Sequence, residues 1–571
     1  MNVAPTTTVA GYLVSRLAEA GVVSVFGVPG EYNLGLLDAV ADRPNMSWIG
    51  MASEQGAGYA ADSYARQRGL GALITTFGVG ELSAINAVAG AYAESVPVVH
   101  IVGTPALAAR RDGLLLHHNL PGTSYRHFAT MAAEITVAQA DLRPDNAAAE
   151  IDRVIATAVR KSRPVYLTIP ADVVGAPVAV PAATLRTLGG DDTSDPAAVH
   201  AFARHAASVL DRADTAAVLV GHLPARYRLT SNVTAMADAA GLPVAVLSMA
   251  KGDIAESDPL FVGLYAGAAS AKRTRLAVED SDVLITVGAS LADSLTFGGT
   301  HQLPEAGRID LAADHASVGA VSYPGIGLRT ALSTLTSVLK AGHVHARPGT
   351  EGESGAHSVT GADGAPTNLD GQLTHRHLWA SVQDFLQAGD LIIADQGTAF
   401  YGAASLTLPD GARLIGQPLW ASIGWALPAA LGTSLGAADR RVIVIAGDGA
   451  MQQTAAELGT LLAQDLAPVI IVLNNDGYTV ERAIHNSSAS YHRIPQWDWA
   501  ALPGALTATS SALTIRAASP HKLDRALRLA DRNAGRLVFI EAVLAQDDAP
   551  ALLRDLARLL GDHAGEDGGD D

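Results

Sequence analysis

The sequence predicts an α/β protein built from three doubly wound domains, each with a parallel sheet. The first observation is the length of 571 residues, which exceeds what one hydrophobic core supports. The second is that short apolar runs without polar alternation recur between helical patterns, as in βαβ units whose strands are buried on both faces. The third is composition, because 49% hydrophobic and 17% charged residues are typical of a compact body with large buried sheets.

The apolar runs fall into three groups along the chain, and each group defines one predicted domain. A first unit at 1–180, a central unit at 190–340 and a last unit at 370–558 follow from this grouping. The predicted strands are, in the first unit, 72–77, 97–102 and 164–169, in the central unit 216–220 and 283–287, and in the last unit 391–394, 442–446 and 469–473.

Two segments lack the pattern of a packed domain. The stretch 341–368 is rich in Gly, His, Ser and Thr with almost no large apolar residue, which is typical of a linker. The end of the chain, 561–571, is acidic and rich in glycine, so it is predicted to be a disordered tail.

Charge and cysteine content exclude several classes of function. The net charge of −18 disfavours binding to nucleic acid or to an anionic membrane surface. The chain has no cysteine, which excludes disulfides, thiolate catalysis and cysteine-ligated metals. We see neither a signal peptide nor an apolar run of the ~18 residues that a membrane span needs, so we expect a cytoplasmic protein.

Two polar loops in the last unit each follow a predicted strand. Asp448 follows one strand, and Asn475 follows the next. Adjacent parallel strands place such loops side by side, where open α/β sheets bind ligands. A carboxylate of Asp448, an amide oxygen of Asn475 and a carbonyl at Gly477 suit Mg²⁺. The helical stretch after Gly449, predicted at 451–464, offers free N–H groups to a diphosphate.

The pattern of GDG, 24 intervening residues and NN resembles the diphosphate-binding motif of thiamine-diphosphate enzymes. GDG alone is usually a plain strand–turn–helix, but the combination with a strand before each motif is specific. Further segments resemble the 2-oxo acid decarboxylases of this family, which act on pyruvate, indolepyruvate or branched-chain 2-keto acids. These segments are FGVPGEYNLGLLD (26–38), TTFGVGELSAINAVAGAYAESVPVVHIVGTP (75–105), LHH (116–118), EIDRV (150–154), VLVGHLPARYRL (218–229), KGDIAESDPLFVGLYAG (251–267) and NNDGYTVERAIH (474–485).

The resemblance implies a set of catalytic groups. Glu54 would hold a proton against the aminopyrimidine ring of thiamine diphosphate and so activate the cofactor. Glu31, His117, His118 and Glu481 would manage protons at the substrate. Glu31 stands where these enzymes usually carry aspartate, and the loop after His118 also departs from their pattern. A lone glutamate at a helix start or a histidine pair in a loop is commonly a plain surface feature, so these assignments depend on the resemblance.

The resemblance also implies the cofactor and substrate contacts. Ile423 matches a bulky residue that bends the cofactor, although an ordinary core isoleucine is nearly as common, and Ala421 would offer a backbone contact. The implied cofactor-binding residues are Glu54, Thr398, Ala421, Ile423, Asp448, Gly449, Ala450 and Asn475, with Asp448, Asn475 and Gly477 holding Mg²⁺. The substrate-pocket candidates are Gln396, Phe400, Tyr401 and Val480, with Gly397 and Trp497 nearby, although aromatic residues are more often part of the core.

The implied reaction is the non-oxidative decarboxylation of a 2-oxo acid to an aldehyde and CO2 through a thiamine-diphosphate enamine. A branched-chain or aryl substrate, such as indolepyruvate or phenylpyruvate, is favoured over pyruvate. The alternative is a carboligase, in which the same enamine attacks a second carbonyl compound and forms an acyloin. A flavin-containing acetohydroxyacid synthase fits the histidine pair less well, and no strand is followed by the G-x-G-x-x-G of a nicotinamide-dependent dehydrogenase. A non-catalytic subunit is disfavoured because the activating glutamate and the metal ligands are present.

The resemblance further implies a homodimer or homotetramer with active sites between subunits. The first domain of one subunit, which binds the pyrimidine, would complete the site with the third domain of another, which binds diphosphate and magnesium. The expected partner is a small-molecule 2-oxo acid.

Overall fold

The computed structural model forms two compact units, whose segments alternate along the sequence. The first unit comprises Met1–Asp191, Leu427–Asp439 and Thr454–Leu466, and the second comprises Asp192–Ala426, Arg440–Gln453 and Ala467–Asp571. The predicted linker lies outside the described residues except at 341 and 342. The residues that the structure describes are 6–122, 124–181, 183–185, 194–342, 370–508 and 511–566.

A six-stranded parallel sheet forms the centre of the first unit. The strands of this unit are β1 (Thr6–Thr8), β2 (Ser24–Gly27), β3 (Ser47–Gly50), β4 (Gly71–Thr76), β5 (Val98–Thr104), β6 (Gln139–Asp141), β7 (Val165–Pro170) and β8 (Pro177–Ala179). The parallel sheet has the order β3-β2-β4-β5-β7-β6, and β1 pairs antiparallel with β8. Strands β4, β5 and β7 consist entirely of buried residues, as expected of strands that are covered on both faces.

Helices connect these strands, and one of them begins at a predicted catalytic residue. The helices are α1 (Val9–Glu19), α2 (Leu34–Ala41), α3 (Glu54–Arg68), α4 (Val79–Ser83), α5 (Ile85–Ala93), α6 (Leu107–Arg111), α7 (His127–Ala133) and α8 (Ala147–Lys161). Helix α3 starts at Glu54 because the Ser53 hydroxyl accepts a hydrogen bond from Gly56 N–H at 3.0 Å. It ends at Gly69, whose φ of 91° is accessible to glycine.

The second unit contains a seven-stranded sheet from the middle of the chain. Its strands are β9 (Ala216–Val220), β10 (Val244–Val246), β11 (Phe261–Leu264), β12 (Val283–Val287), β13 (Arg308–Leu311), β14 (His315–Val318) and β15 (Val321–Pro324). The order is β11-β10-β9-β12-β13-β14-β15, in which β14 and β15 pair antiparallel. This antiparallel edge was not predicted, because β15 is largely exposed and lacks an apolar run.

A six-stranded parallel sheet from the last third of the chain completes the second unit. Its strands are β16 (Leu391–Ala394), β17 (Arg413–Ile415), β18 (Val442–Gly447), β19 (Val469–Asn474), β20 (Leu513–Ala517) and β21 (Val538–Val543). The order is β17-β16-β18-β19-β21-β20. Strands β18 and β19, which precede the two polar loops, are therefore neighbours, as predicted.

The remaining helices are divided between the two units. They are α9 (Pro196–Leu210), α10 (Leu223–Arg226), α11 (Thr230–Asp238), α12 (Lys272–Glu279), α13 (Asp293–Thr296), α14 (Leu328–Lys340), α15 (His375–Phe385), α16 (Thr398–Ala404), α17 (Ala426–Gly436), α18 (Asp448–Thr454), α19 (Glu457–Ala463), α20 (Thr479–Ile484), α21 (Leu502–Leu506), α22 (Pro520–Arg532) and α23 (Ala551–Glu566). Helix α19 and all but the first residue of α17 lie in the first unit, where the Ser63 hydroxyl donates to Ala429 O at 2.8 Å.

The predicted fold class is confirmed by the three sheets, and every predicted strand lies within two residues of an observed one. Two local expectations differ from the structure. Residues 561–566, expected as part of a disordered tail, form the end of helix α23, although Gly561 and Gly565 each cost a helix about 1 kcal/mol; 567–571 lie outside the described residues. The helix predicted at 451–464 is instead the pair α18 and α19. Among the described residues, no helix is both long enough and apolar enough to cross a bilayer.

Candidate active site

A cavity of about 450 Å³ opens in the second unit at the carboxyl ends of β16, β18 and β19. In the pairing of the two central strands, Gly447 lies opposite Leu473, so the loops that follow them are adjacent. This is the edge at which open α/β sheets bind ligands. The cavity is lined by Gln396, Gly397, Thr398, Ala421, Ile423, Gly447, Asp448, Gly449, Ala450, Asn475, Gly477, Tyr478, Thr479, Val480 and Glu481.

Asp448 lies at the start of α18 with its carboxylate almost fully buried. Gly449 N–H donates to Oδ1 at 2.8 Å, and Gly477 N–H donates to Oδ2 at 3.1 Å, so Asp448 joins the two loops. Burial raises the pKa of Asp448 to about 6, although backbone hydrogen bonds act in the opposite direction. A cation beside this carboxylate would favour its charged form.

The side-chain amide of Asn475 faces two oxygens of the same loops. One of the two terminal atoms of this amide, nitrogen or oxygen, lies 3.2 Å from Asp448 Oδ1 and 3.0 Å from Gly477 O. If that atom is the nitrogen, it donates to both oxygens while the amide oxygen accepts from Thr479 Oγ1 at 2.9 Å. If it is the oxygen, three oxygens converge, which is stable only with a cation among them. The structure places the oxygen there, so the donor set fits a bound metal ion as it stands, whereas the metal-free loop would favour the rotated amide.

The chemistry of these donors favours a hard cation. Among the described residues, no group of three or more His, Cys, Asp or Glu side chains could hold a metal. The three converging atoms are instead a carboxylate, an amide and a carbonyl oxygen. Mg²⁺ accepts such a set because it takes its other ligands from phosphate and water.

The cavity wall also contains residues that sequence reasoning did not assign. Tyr478 and Thr479 lie in the wall, and a Cβ on Gly449 would come within 2.5 Å of the Tyr478 ring. Glycine at 449 is thus required for this close approach. Both residues fall within 474–485, one of the segments that carried the family resemblance. Within that segment, the sequence alone does not distinguish residues that line the cavity from residues that are buried elsewhere.

The cofactor-contact candidates Ala421 and Ile423 lie in a loop that is held by the buried carboxylate of Asp395. Ala421, with φ of 59°, adopts a left-handed conformation that is unusual for a residue with a side chain. Asp395 accepts hydrogen bonds from Gly424 N–H at 3.1 Å and from Ala426 N–H at 2.9 Å. Asp395 thereby fixes the turn that carries Ile423 into the cavity wall.

Three pocket candidates do not line the cavity. Phe400 and Tyr401 are buried in α16, where Phe400 faces Gly416 and the Tyr401 ring lies 5.8 Å from that of Phe297. Every residue of α16 is buried, and only Thr398, at the start of the helix, is among the residues that line the cavity. Trp497 packs beside Trp499 at 5.3 Å. Aromatic residues in a helix that is buried on all sides belong to the core.

In the first unit, the structure brings Glu31 and the histidine pair together. Glu31 begins a 3-10 turn, Glu31–Asn33, and its Oε2 lies 3.2 Å from His117 Nε2. His117 Nδ1 lies 3.2 Å from the Tyr32 hydroxyl, and the two rings stack at 4.9 Å. The rings of His117 and His118 lie 4.5 Å apart at 78°. Carboxylate, imidazole and phenol thus form a continuous path for protons.

Glu54 lies at the capped start of α3 with its carboxylate half-buried. A Cβ on Gly80 would come within 3.1 Å of Glu54 Oε1, so the first turn of α4 passes directly beside this carboxylate. Behind it, the buried carboxylate of Glu457 accepts from Ala52 N–H and Ser53 N–H, both at 3.2 Å. Glu457 therefore fixes the turn from which Glu54 projects.

The turn at Gly78 also contacts the histidine pair. A Cβ on Gly78 would lie 2.0 Å from His118 O, and Gly78 has a φ of 69°. Glu81 accepts from Gly78 N–H at 2.7 Å and from the Tyr166 hydroxyl at 2.5 Å. Burial raises the pKa of Glu81 to about 7, while these two hydrogen bonds lower it. Glu81 thus anchors a turn that lies against both Glu54 and His118.

The predicted site residues form two clusters, one in each unit. The first unit holds Glu31, Glu54, His117 and His118. The second unit holds the other predicted cofactor-binding residues and the predicted metal and pocket residues in one cavity wall, apart from the aromatic candidates. Glu481 lies in that wall, on the exposed side of the first turn of α20.

In comparison with known proteins, the two residue clusters fall in two different matched domains. Residues 7–127 match the N-terminal TPP binding domain of thiamine pyrophosphate enzymes, 203–339 match their central domain, and 397–542 match their C-terminal TPP binding domain. Proteins named alpha-keto-acid decarboxylase are similar along the whole length. That of Mycobacterium ulcerans (strain Agy99) is 43% identical over 97% of this chain and 96% of its own. That of Mycobacterium tuberculosis (strain ATCC 25618 / H37Rv) is 42% identical over 97% of both chains.

These matches confirm the resemblance and the cofactor predicted from the sequence. The matched domains are those that bind thiamine diphosphate, and they contain both residue clusters. The chain therefore belongs to the thiamine pyrophosphate enzymes, in the branch of the alpha-keto-acid decarboxylases.

Proposed function

We propose that this enzyme decarboxylates branched-chain or aryl 2-oxo acids to aldehydes, using thiamine diphosphate and Mg²⁺. The observation that carries the proposal is the convergence of oxygens from Asp448, Asn475 and Gly477 at the wall of a cavity that also holds Glu481. Such a set binds Mg²⁺, which in turn binds a diphosphate. The bound cofactor supplies a carbon nucleophile and an electron sink for the departing carboxylate.

Residues around the metal would hold the diphosphate and orient the cofactor. Ala450, in the first turn of α18, would offer its N–H group to a phosphate oxygen, and Gly449, whose own N–H donates to Asp448, would let the diphosphate approach the backbone closely. Thr398 and the left-handed Ala421 lie in the same wall as Ile423, which would support the cofactor from one side. These placements agree with the roles that the resemblance implies.

The residue cluster of the first unit would donate and accept protons during the reaction. Glu54 would hold the proton at the aminopyrimidine ring, since its carboxylate is half-buried beside a turn without side chains at Gly78 and Gly80. Glu31 and His117 are close enough to exchange a proton, His118 lies beside them, and Glu481 would act from the other cluster.

The preference for a large side chain rests on the cavity wall. Gln396 and Val480 lie in the wall, whereas Phe400 and Tyr401 of α16 are not among its lining residues. The cavity of about 450 Å³ must hold the cofactor as well as the substrate, so the preference for a branched-chain or aryl group over a methyl group rests on the small Val480 side chain and not on the volume.

We further propose a homodimer or homotetramer in which different subunits contribute the two clusters. The proposal is supported by the division of the predicted site between the two units and by the pattern of the resembling family.

Acyloin formation is a second candidate, favoured by Glu31. The Glu31 carboxylate lies 3.2 Å from His117 and is largely exposed. It therefore occupies a different position from the carboxylate of the shorter aspartate. If proton delivery is slow, an added aldehyde can react first.

The test is a panel of 2-oxo acids with the purified enzyme, Mg²⁺ and thiamine diphosphate. We expect equal amounts of CO2 and aldehyde, with higher kcat/KM for branched-chain and aryl substrates than for pyruvate. A preference for pyruvate would refute the proposed substrate class. Activity that is insensitive to removal of Mg²⁺ by a chelator would refute the metal assignment.

A further inference from the structure

Arg482 is a buried cation directly behind the loop that carries the proposed metal ligands. Arg482 lies in α20 and is only 6% exposed, whereas its neighbour Glu481 is exposed. Within the described part of the chain, no carboxylate lies within salt-bridge distance of its guanidinium. A buried charge without a counter-ion is costly unless polar groups or a ligand compensate it.

The guanidinium binds backbone carbonyls instead. One nitrogen donates to Asn475 O at 3.2 Å, and the other donates to Asp476 O and, at 3.5 Å, to His492 O. His492 O also accepts from Tyr478 N–H at 2.9 Å. The planar fork of arginine thus joins two successive carbonyls of the metal loop to the 3-10 turn Ser490–His492.

These hydrogen bonds decide which carbonyl is free for a metal. The carbonyls of Asn475 and Asp476 accept hydrogen bonds from the guanidinium. The carbonyl of Gly477 lies within 3.0 Å of the Asn475 amide. Gly477 itself fits only as glycine, because it has a φ of 115° and a Cβ would lie 2.1 Å from His492 O.

The charge of Arg482 complements an anionic ligand. The charged side chains in the cavity wall are Asp448 and Glu481, and neither Lys nor Arg is among the lining residues. A diphosphate carries more negative charge than one Mg²⁺ neutralises. Further positive potential must therefore come from helix N-termini and from charges behind the wall.

We propose that Arg482 is a positioning residue that sets the carbonyl pattern of the metal loop and supplies positive potential for the diphosphate. The proposal rests on the proposed function, since it requires the metal and diphosphate to bind at this loop. A long flexible lysine would keep the charge but could not bridge three carbonyls, so the two contributions are separable.

The experiment measures dissociation constants by calorimetry for thiamine diphosphate and thiamine monophosphate, each with Mg²⁺, using the full-length protein. Arg482→Met is compared with wild type, Arg482→Lys and Arg528→Met, an exposed arginine of α22. We expect Arg482→Met to weaken binding of thiamine diphosphate about 10- to 100-fold, the usual effect of removing a group that orients metal ligands. Arg482→Lys should fall between wild type and Arg482→Met, and Arg528→Met should match wild type.

The loss in Arg482→Met should be larger for the diphosphate than for the monophosphate, which a purely structural defect would not produce. Unchanged affinity for thiamine diphosphate in Arg482→Met would overturn the proposal, as would an equal loss for the two ligands. If Arg482→Met does not fold, as judged by circular dichroism, the same comparison is made with Arg482→Lys. If the wild type itself fails to bind thiamine diphosphate, the proposed function fails instead.

Discussion

Glu31 contacts His117 through a longer side chain than the aspartate that the family resemblance leads us to expect at this position. The 3.2 Å contact shows that its carboxylate reaches the imidazole. The extra methylene nevertheless displaces the proton donor, and a misplacement on the order of 1 Å can affect catalysis strongly. In the proposed mechanism, aldehyde release depends on this proton, whereas loss of CO2 depends mainly on the cofactor.

We predict that Glu31→Asp raises the ratio of aldehyde to acyloin formed from one 2-oxo acid. The aspartate would deliver its proton in line and leave less time for an added aldehyde to react. Products are quantified by chromatography at a fixed concentration of acceptor aldehyde. A ratio equal to or below that of the wild type would show that the backbone around Gly30 already compensates for the longer side chain.

At the level of single residues, the sequence predicted those groups whose position is fixed by a strand end. Asp448 and Asn475 were found because each follows a buried run of apolar residues. Phe400 and Tyr401, expected in the pocket, are not among the residues that line the cavity, because the orientation of a short buried helix is not encoded in its own pattern. Arg482 was overlooked, since a charged residue one position after Glu481 gives no sign of its burial.

At the level of elements, the first turn of α4 lies against both Glu54 and His118. Gly78 permits this approach because it carries no side chain and has a φ of 69°. A Cβ there would overlap the carbonyl of His118 at 2.0 Å, and backbone atoms cannot rotate away as a flexible side chain can.

We therefore predict that Gly78→Ala lowers kcat/KM by roughly a hundredfold by displacing the histidine pair. Binding of thiamine diphosphate should change little, since the metal loop lies in the other unit. Steady-state kinetics and calorimetry measure the two effects. The matched control is Gly175→Ala, where a Cβ has open space and should leave both unchanged. Wild-type kcat/KM in Gly78→Ala would contradict this account of the turn.

The turn that carries Ile423 should give the metal-free protein a pH-dependent stability. Burial raises the pKa of Asp395 to about 7, against backbone hydrogen bonds that lower it. The folded state then binds this proton more tightly than the unfolded state does, so stability falls as pH rises between the ordinary carboxyl range and about 7.

We predict that Asp395→Asn flattens this part of the pH profile, because an amide does not titrate. Urea unfolding midpoints of the metal-free wild type and variant are compared from pH 4.5 to 7.5, an interval chosen to bracket the shift. The variant should lose less stability than the wild type as pH increases. Parallel profiles for the two proteins would mean that Asp395 does not titrate in this interval.

The central strands were predictable because they are buried on both faces and therefore read as unbroken apolar runs. The antiparallel strands β14 and β15 were not, since a half-exposed edge leaves only a weak alternation. The break between α18 and α19 was also missed, because Ala455 and Ala456 suit a continuous helix and only tertiary packing separates the two.

At the level of the whole molecule, the two residue clusters belong to different units. The sequence predicted three domains with parallel sheets from the spacing of strands, whereas the assignment of α19 to the first unit could not be predicted. That assignment depends on long-range contacts such as those of Glu457 with Ala52 and Ser53. We propose that the clusters of Glu54 and Asp448 are halves of one active site and come from different subunits.

Complementation between two inactive variants tests this claim most directly. Chains with Glu54→Gln and Asp448→Ala are co-expressed with different affinity tags, and the doubly tagged hetero-oligomer is purified and assayed for aldehyde formation. Each variant alone should be inactive. In a heterodimer, one site combines both substitutions and the other combines none, so we predict about half of the wild-type activity. A doubly tagged protein as inactive as either variant alone would contradict the claim, because sites built within single chains would each retain one substitution.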